Sequence, residues 1–252
     1  MSRLVCFLAA NVLLLSPWWL HNQRLHGRFI PLDTTSGLNL AIGSAPDASG
    51  RWYWSHVEVL LTTDLRGIDV TTPEGSGRAT ALAIDYVRAA PLAWLKLAPA
   101  KTAALLAVEG RETAYLYSLG LFGEHSSNIV LSWAIAVMLS FPALLIGAVG
   151  GLTSGQLPLR FAGPVVVLMG TTVLMHIATF GDPRFHLPLV PLLAIAATHA
   201  KRIDRRALVA TALACALLAP AWYAQAVNYM PFVRLLMTPG ASHSPVSFDA
   251  LF

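Results

Sequence analysis

Residues 4–20, 129–152, 161–180, 187–200 and 207–224 are five apolar blocks in a chain of 252 residues, and they constrain its fold more than any single motif does. A bilayer core about 30 Å thick takes roughly 20 apolar residues as helix. Four of the blocks approach that length unaided; block 187–200 is shorter and carries Pro188 and Pro191. Proline removes a backbone donor and bends a helix, which lipid tolerates where neighbouring helices or water satisfy the freed carbonyls. Block 187–200 is therefore predicted as an irregular span inside a bundle, with a re-entrant segment as the alternative. Charged residues make up 12% of the chain and hydrophobic residues 56%. That is about half the charge of a soluble domain, and the mean hydropathy is +0.61. The predicted class is an all-α polytopic membrane protein of about five transmembrane helices, with an irregular, partly helical outward-facing loop domain between the first and second.

Charge sets the orientation. Lys201-Arg202-Ile203-Asp204-Arg205-Arg206 is a short cationic linker, and such linkers stay on the cytoplasmic side. Arg3 and Arg160 fit the same side. The expected topology places residues 1–3, 153–160 and 201–206 inside, and residues 21–128, 181–186 and the tail after Gln225 outside. The arginines of the long loop do not oppose this, because loops beyond about 60 residues translocate largely regardless of charge. The divisions are a transmembrane helix at 1–20, an extracytoplasmic loop domain at 21–128, a four-helix membrane region at 129–224 and an extracytoplasmic tail at 225–252. A cleaved signal peptide is the competing reading of the first block. Against it, the block ends in Pro17-Trp18-Trp19 without a small-x-small site, and tryptophans there suit an interfacial belt.

The net charge of +4 does not call for nucleic acid, since the basic residues cluster at membrane edges and no zinc-finger or RNA-binding pattern is present. Cys6 and Cys215 sit in separate apolar blocks and read as small buried residues, not as a disulfide or metal pair. No metal ligand and no resident cofactor is assigned from the sequence. The first half of the loop is rich in Gly, Ser, Thr, Asp and Pro around Arg51-Trp52-Tyr53-Trp54, with a short helix expected at 52–62. From residue 78 to 106, Ala79, Leu82, Ala83, Tyr86, Val87, Leu92, Leu95 and Leu97 recur at helical spacing, interrupted at Pro91. This predicts a pair of amphipathic interfacial helices with Arg88, Lys96 and Lys101 on or near the polar side. The tail, with Tyr229, Phe232, Leu235 and Leu236, is expected on the outer membrane surface or folded back on the loop, its last dozen residues mobile.

Three ordered passages carry a family likeness. The first holds Pro17, Trp18, Asn22, Gly27, Phe29 and Pro31, then Gly37, Asn39, Leu40, Gly43 and Pro46. The second holds Ala81, Tyr86, Val87, Pro91, Leu95 and Lys101. The third is Gly181-Asp182-Pro183-Arg184-Phe185-His186-Leu187-Pro188 with Pro191. Together they resemble the C-terminal half of a GT-C superfamily membrane glycosyltransferase, of the protein O-mannosyltransferase and lipid A aminoarabinose transferase-like group. Its members read Pro-Trp-x-x-Arg-Asn, an alanine-rich helix leading to a lysine, and Pro-Arg-Tyr-x-x-Pro-x-x-Pro. Phe185 stands here for the tyrosine.

The resemblance implies transfer of a sugar, with inversion, from a polyprenyl phosphate to an envelope glycan, lipid or protein. It also implies an integral protein of the bacterial inner membrane with the long loop in the periplasm. It puts Arg184, Lys101 and His186 at the donor phosphate, with Trp18, Asn22 and Asn39 as loop motif positions. A guanidinium suits the role, since its fixed fork of donors matches two phosphate oxygens. The alternative role for Arg184 is a snorkelling charge, for Lys101 a snorkelling anchor, and for His186 a polar cap. His176, within a block, reads as a helix-packing contact.

The family places its acidic base in a first outward loop upstream of the Pro-Trp passage, and this chain begins one helix before Pro17. The expectation is thus the C-terminal part of a transferase, either truncated at its start or working with a separate N-terminal half or partner transferase. Asp33, Asp47, Asp64, Asp69, Glu74 and Asp85 are outward carboxylates to which the base role does not transfer. The catalytic residue is left unassigned. A second reading is a catalytically silent membrane protein that binds polyprenyl phosphate or a partner transferase. A third is an unrelated small structural or transport protein, disfavoured as a pump by the lack of midplane charged pairs.

Overall fold

The computed structural model describes residues 3–31, 33–108, 110, 114, 116, 127–155, 157–200 and 204–237. Leu32, Lys201, Arg202, Ile203 and the tail beyond residue 237 lie outside them, so the expectations for the first part of the cationic linker and for the last dozen residues fall outside the description. The described residues are helical and include no strand. Four helices are long and apolar enough to cross a membrane: α1 (Arg3–His26), α7 (Ser127–Thr153), α8 (Leu159–Ala178) and α10 (Arg205–Asn228). Between them run α2 (Ser36–Ser44), α3 (Trp54–Thr62), α4 (Pro73–Ala89), α5 (Pro91–Lys96), α6 (Ala98–Leu105) and α9 (Val190–Ala197), and α11 (Met230–Met237) ends the described chain.

The block at 187–200 differs from the other four. It folds as a 3-10 helix, Pro183–Leu189, running into the short α9. Together Pro183–Ala197 make a shorter apolar helix, below the length that crosses a bilayer core unaided. The prolines explain the shape. Pro188 lies inside the tight segment and Pro191 in the first turn of α9, where a missing donor does least harm.

The chain divides into two compact units, 1–48 with 56–94, and 49–55 with 95–252. In the first unit α1 ends in a tie that uses the Pro-Trp passage. Gly27 adopts φ +71°, and the chain turns back so that Asn22 Nδ2 donates to the Ile30 carbonyl at 3.0 Å and Trp19 Nε1 to the Pro31 carbonyl at 2.9 Å. Trp19 also meets Phe29 edge-on at 5.4 Å. Asn22 is buried, and Trp18 is 47% exposed beside His21. In the same unit α2 and α4 pack through small residues: the Gly37 amide donates to Ser76 Oγ at 3.2 Å, and a Cβ on Gly37 would lie 2.0 Å from the Ser76 carbonyl oxygen. Helix α4 carries its own start signals, with Thr72 Oγ accepting from the Gly75 amide at 3.1 Å, Pro73 in the first turn and Glu74 beside it.

In the second unit α7 is the central helix. Over its most apolar stretch 28% is buried inside the protein, against 6% for α8 and α10. Phe141, Leu145 and Ala148 of α7 form a core with Leu189, Leu193 and Ala196. Toward the start of α7, Val130 and Ala134 pack with Tyr229 and Phe232. The tail after Gln225 thus begins as part of the helical core, with Tyr229 and Phe232 both buried. Outward-facing Val166, Val167, Leu174, Leu208, Leu213 and Leu217 leave α8 and α10 apolar on their exposed sides, as lipid-facing helices are.

The approach of α7 and α9 is set by glycine. A Cβ on Gly151 would lie 1.8 Å from the Ala196 carbonyl oxygen, whereas one on Gly163 of α8 meets nothing within 4 Å. Small residues at helix contacts let backbones come close. Gly151→Ala is expected to cost about 1–3 kcal/mol by overpacking, while Gly163→Ala is neutral or mildly stabilising. Unfolding of the two variants in mixed micelles checks this, and equal stabilities would contradict the close contact.

Candidate functional site

Helix α6 organises the second unit although it is only eight residues long. The last carbonyls of a helix have no intrahelical partner and carry its negative end, and α6 and α8 solve this for each other. Lys101 of α6 is fully buried, and its Nζ donates to the Ile177 carbonyl in the last turn of α8 at 2.8 Å. From the segment after α8, His186 Nδ1 donates back to the Leu105 carbonyl of α6 at 2.8 Å. The Leu105 carbonyl only accepts, which places a proton on Nδ1. The imidazole lies flat on Phe141, with centroids 3.3 Å apart at 5°. Trp222 Nε1 of α10 donates to the next carbonyl, Leu106, at 2.8 Å.

Lys101 therefore does not lie on the polar side of an amphipathic helix. The chain breaks between α5 and α6 at Leu97 and restarts with Pro99 in the first turn, which changes the phase of the apolar pattern and turns Lys101 inward. Burial pushes its ammonium down from 10.5 to about 8. Arg88 remains outward, beside Asp85 at 3.9 Å.

Two glycines bring a second strand of chain onto α6. Gly181 donates its amide to the Gly50 carbonyl at 2.9 Å, and Arg51 and Gly181 form an isolated parallel bridge. A Cβ on Gly181 would lie 1.9 Å from the Lys101 carbonyl oxygen. Gly50 has φ +86°, and a Cβ there would lie 3.1 Å from the Lys101 amide nitrogen. Neither position accepts a side chain without moving backbone.

This crossing forms one wall of a small cleft lined by Arg51, Tyr53, Asp182, Gln225, Asn228 and Tyr229, among others. About 30 Å³ inside it is open to the centre of a water-sized sphere, enough for one or two water-sized groups. Asp182 is 3% exposed; its Oδ1 caps the 3-10 helix by accepting from the Arg184 amide at 3.2 Å and lies 3.4 Å from Arg184 Nε. The Arg184 side chain is 46% exposed and lies over Phe185 at 5.0 Å. Phe185 also stacks with His176 at 4.3 Å, and His176 Nδ1 donates to the Phe180 carbonyl at 2.9 Å. Gln225, 8% exposed, has a buried amide oxygen with no partner among the described residues.

The opposite side of α6 is different. Ala98, Pro99, Thr102, Ala103 and Leu106 line an open apolar groove of about 570 Å³, completed by Leu145 and Val149 of α7, Met169 of α8 and Leu217 and Leu218 of α10. One short helix thus has a polar cleft at Ala104 and an apolar groove at Ala103.

Of the sequence-predicted residues, Arg184, Lys101 and His186 gather around α6 in the second unit, but with different exposure. Arg184 keeps half its side chain in solvent, whereas Lys101 and His186 are buried and bonded to helix-end carbonyls. Trp18, Asn22 and Asn39 belong to the first unit, where Asn22 ties the turn after α1 and Asn39 sits half-buried on α2.

The carboxylates between residues 33 and 85 also lie in the first unit, each in a local contact. Asp33 accepts from the Thr35 and Ser36 amides, Asp47 pairs with His56 Nδ1 at 3.0 Å, and Glu74 pairs with Arg28. Asp69 accepts from Thr71 Oγ1 at 2.6 Å, and that bond holds its carboxyl below the ordinary range. Asp64 accepts from the Tyr86 hydroxyl at 2.9 Å; desolvation first, then Asp64, pushes the phenol up to about 12. Among the described residues no group of three His, Cys, Asp or Glu is placed to hold a metal ion.

Sequence reasoning passes over Asp182, Gln225 and Arg51 as site residues. A lone amide at the end of an alanine-rich block is the signal for Gln225, since polar groups within spans seek partners.

The buried lysine has a measurable pH signature. Between about pH 8 and 10.5 the unfolded chain holds the Lys101 proton and the folded chain does not, so stability rises with pH across that window. The gain is at most about 3 kcal/mol. Unfolding of the wild type and Lys101→Met across that range checks it, with the slope expected to be smaller in the variant.

No family model, no curated protein and no solved structure matches this chain.

Proposed function

We propose that the chain binds a polyprenyl-phosphate-linked sugar and takes part in transferring the sugar to an envelope glycan, lipid or protein. One observation carries this reading: α6 separates a small cleft that holds Arg51, Asp182, Gln225 and Asn228 from an apolar groove, the division an amphiphile with a long isoprenoid tail and a polar head requires. The groove takes the tail, and Arg184 takes the phosphate. Its guanidinium is half-exposed, held in place by Asp182 and Phe185, and stands at the start of an apolar helix. Near a low-dielectric boundary, a charge-assisted fork to phosphate is stronger than in water. Lys101 and His186 support the site from below as positioning residues, by fixing α6 against α8 and the 3-10 segment. The motif resemblance at Arg184, Pro188 and Pro191 adds to this reading.

The base for an acceptor hydroxyl is not assigned to a residue of this chain. A silent lipid-binding role is the alternative. Sugar transfer from a labelled polyprenyl-phosphate donor, with and without a candidate partner, separates the two. Arg184→Ala is expected to weaken polyprenyl-phosphate binding about 10- to 100-fold, the loss of a charge-assisted pair worth roughly 1.5–3 kcal/mol, while Arg160→Ala binds as the wild type does. Equal affinities for the two variants would remove Arg184 from the phosphate.

The orientation proposed is five spans, with Pro183–Ala197 completing the fifth inside the bundle, the N-terminus cytoplasmic and residues 21–128 in the periplasm of an inner membrane. Arg66 and Arg160 are both exposed, and they fall on opposite sides in this orientation. Arg66→Cys is expected to react with an impermeant maleimide in intact cells and Arg160→Cys only after permeabilisation. The reverse pattern would invert the topology.

A further inference from the structure

We infer that Gln225 and Asp182 form a hydroxyl-recognition subsite, which receives one hydroxyl of the glycosyl group on the lipid-linked donor. The inference rests on the proposed function and adds the part of the ligand that the cleft reads. Its basis is a buried group without a partner. Gln225 is 8% exposed, its amide oxygen is buried, and among the described residues nothing donates to it. An unmet buried acceptor costs about 1–3 kcal/mol, and Gln225 shares the lining of the cleft with Asp182, Asn228 and Arg51. The cleft beside it is where a donor from outside would reach that amide once the side chain turns toward it.

Size and chemistry define that donor. The open volume of about 30 Å³ is on the scale of one or two water-sized groups, which a single hydroxyl matches. Asp182 is a buried carboxylate that accepts hydrogen bonds, so two acceptors line the same small space. A hydroxyl both donates and accepts, and so fits the Gln225 amide in either orientation of its oxygen and nitrogen. Trp52 and Tyr53 also line the cleft, and aromatic faces suit the apolar face of a sugar ring whose single hydroxyl enters. Asp182 connects the two parts of the ligand: the carboxylate that lines the cleft also lies 3.4 Å from Arg184 Nε, so the subsite adjoins the proposed phosphate contact through one residue.

The test uses the full chain in nanodiscs. Binding of undecaprenyl phosphate is compared with that of its glucosyl, mannosyl and galactosyl derivatives, for the wild type, Gln225→Met and Asp182→Asn. The subsite predicts that the wild type prefers at least one glycosylated lipid over the bare phosphate by about tenfold or more. Gln225→Met, close in shape but without the amide, brings that ratio near one. Asp182→Asn, which keeps an acceptor for the Arg184 amide, lowers it.

Thermal unfolding of each variant confirms that it is folded before its ratio is read. A wild-type ratio near one for all three sugars overturns the subsite while leaving phosphate binding intact. So does a ratio unchanged in Gln225→Met, which would assign the cleft to a structural water. Absence of binding to undecaprenyl phosphate itself overturns the proposed function and the subsite together.

Discussion

Everything described in the second unit depends on how three helix-end carbonyls are satisfied away from bulk water. Ile177, Leu105 and Leu106 each present an oxygen that its own helix cannot pair, and each receives a side-chain donor, from Lys101, His186 and Trp222 respectively. Leaving a buried carbonyl unpaired costs free energy comparable to a lost hydrogen bond. The three donors therefore fix the ends of α6 and α8 relative to the 3-10 segment and α10. The price is a buried ammonium, which shows as the lowered proton affinity of Lys101.

The same ties decide what is left for a ligand. With Lys101 and His186 engaged by backbone, Arg184 is the sequence-predicted cation whose head stays accessible beside the cleft. The 3-10 geometry of Pro183–Leu189 brings this about: Asp182 caps the segment and, in the same position, restrains the guanidinium. The apolar groove on the other side of α6 is lined by Ala98, Ala103 and Leu106 because a face of small residues leaves space between α7 and α10.

Much of the fold was legible in the sequence. The apolar blocks at 4–20, 129–152, 161–180 and 207–224 correspond to α1, α7, α8 and α10, because length and composition alone decide which helices can cross a bilayer. Pro91 does separate α4 from α5, and the helix expected at 52–62 forms at Trp54–Thr62. Lys101 was not legible, since the one-residue break at Leu97 rotates the following helix by an angle that periodicity does not record. In the Pro-Trp passage, Trp19 and not Trp18 makes the bond that closes the turn, and two adjacent tryptophans cannot be told apart by spacing. Gln225 falls where hydropathy ends a span, and Asp204 caps α10 early enough for the helix to run on through Gln225 to Asn228. Asp182 is overshadowed in the sequence by the arginine two residues on, whose chemistry is the more recognisable.

The three carbonyl ties also set an order of events during synthesis. They join residues 76, 81 and 116 positions apart, and contacts so distant in the chain close late. When α6 leaves the ribosome, the carbonyls of Leu105 at its end and of Leu106 just after it lack side-chain donors until His186 and then Trp222 are made. Gln225, Asn228 and Tyr229, just beyond Trp222, complete the cleft last. A chain ending before α10 lacks Trp222, Gln225, Asn228 and Tyr229, and with them one side of both the cleft and the groove.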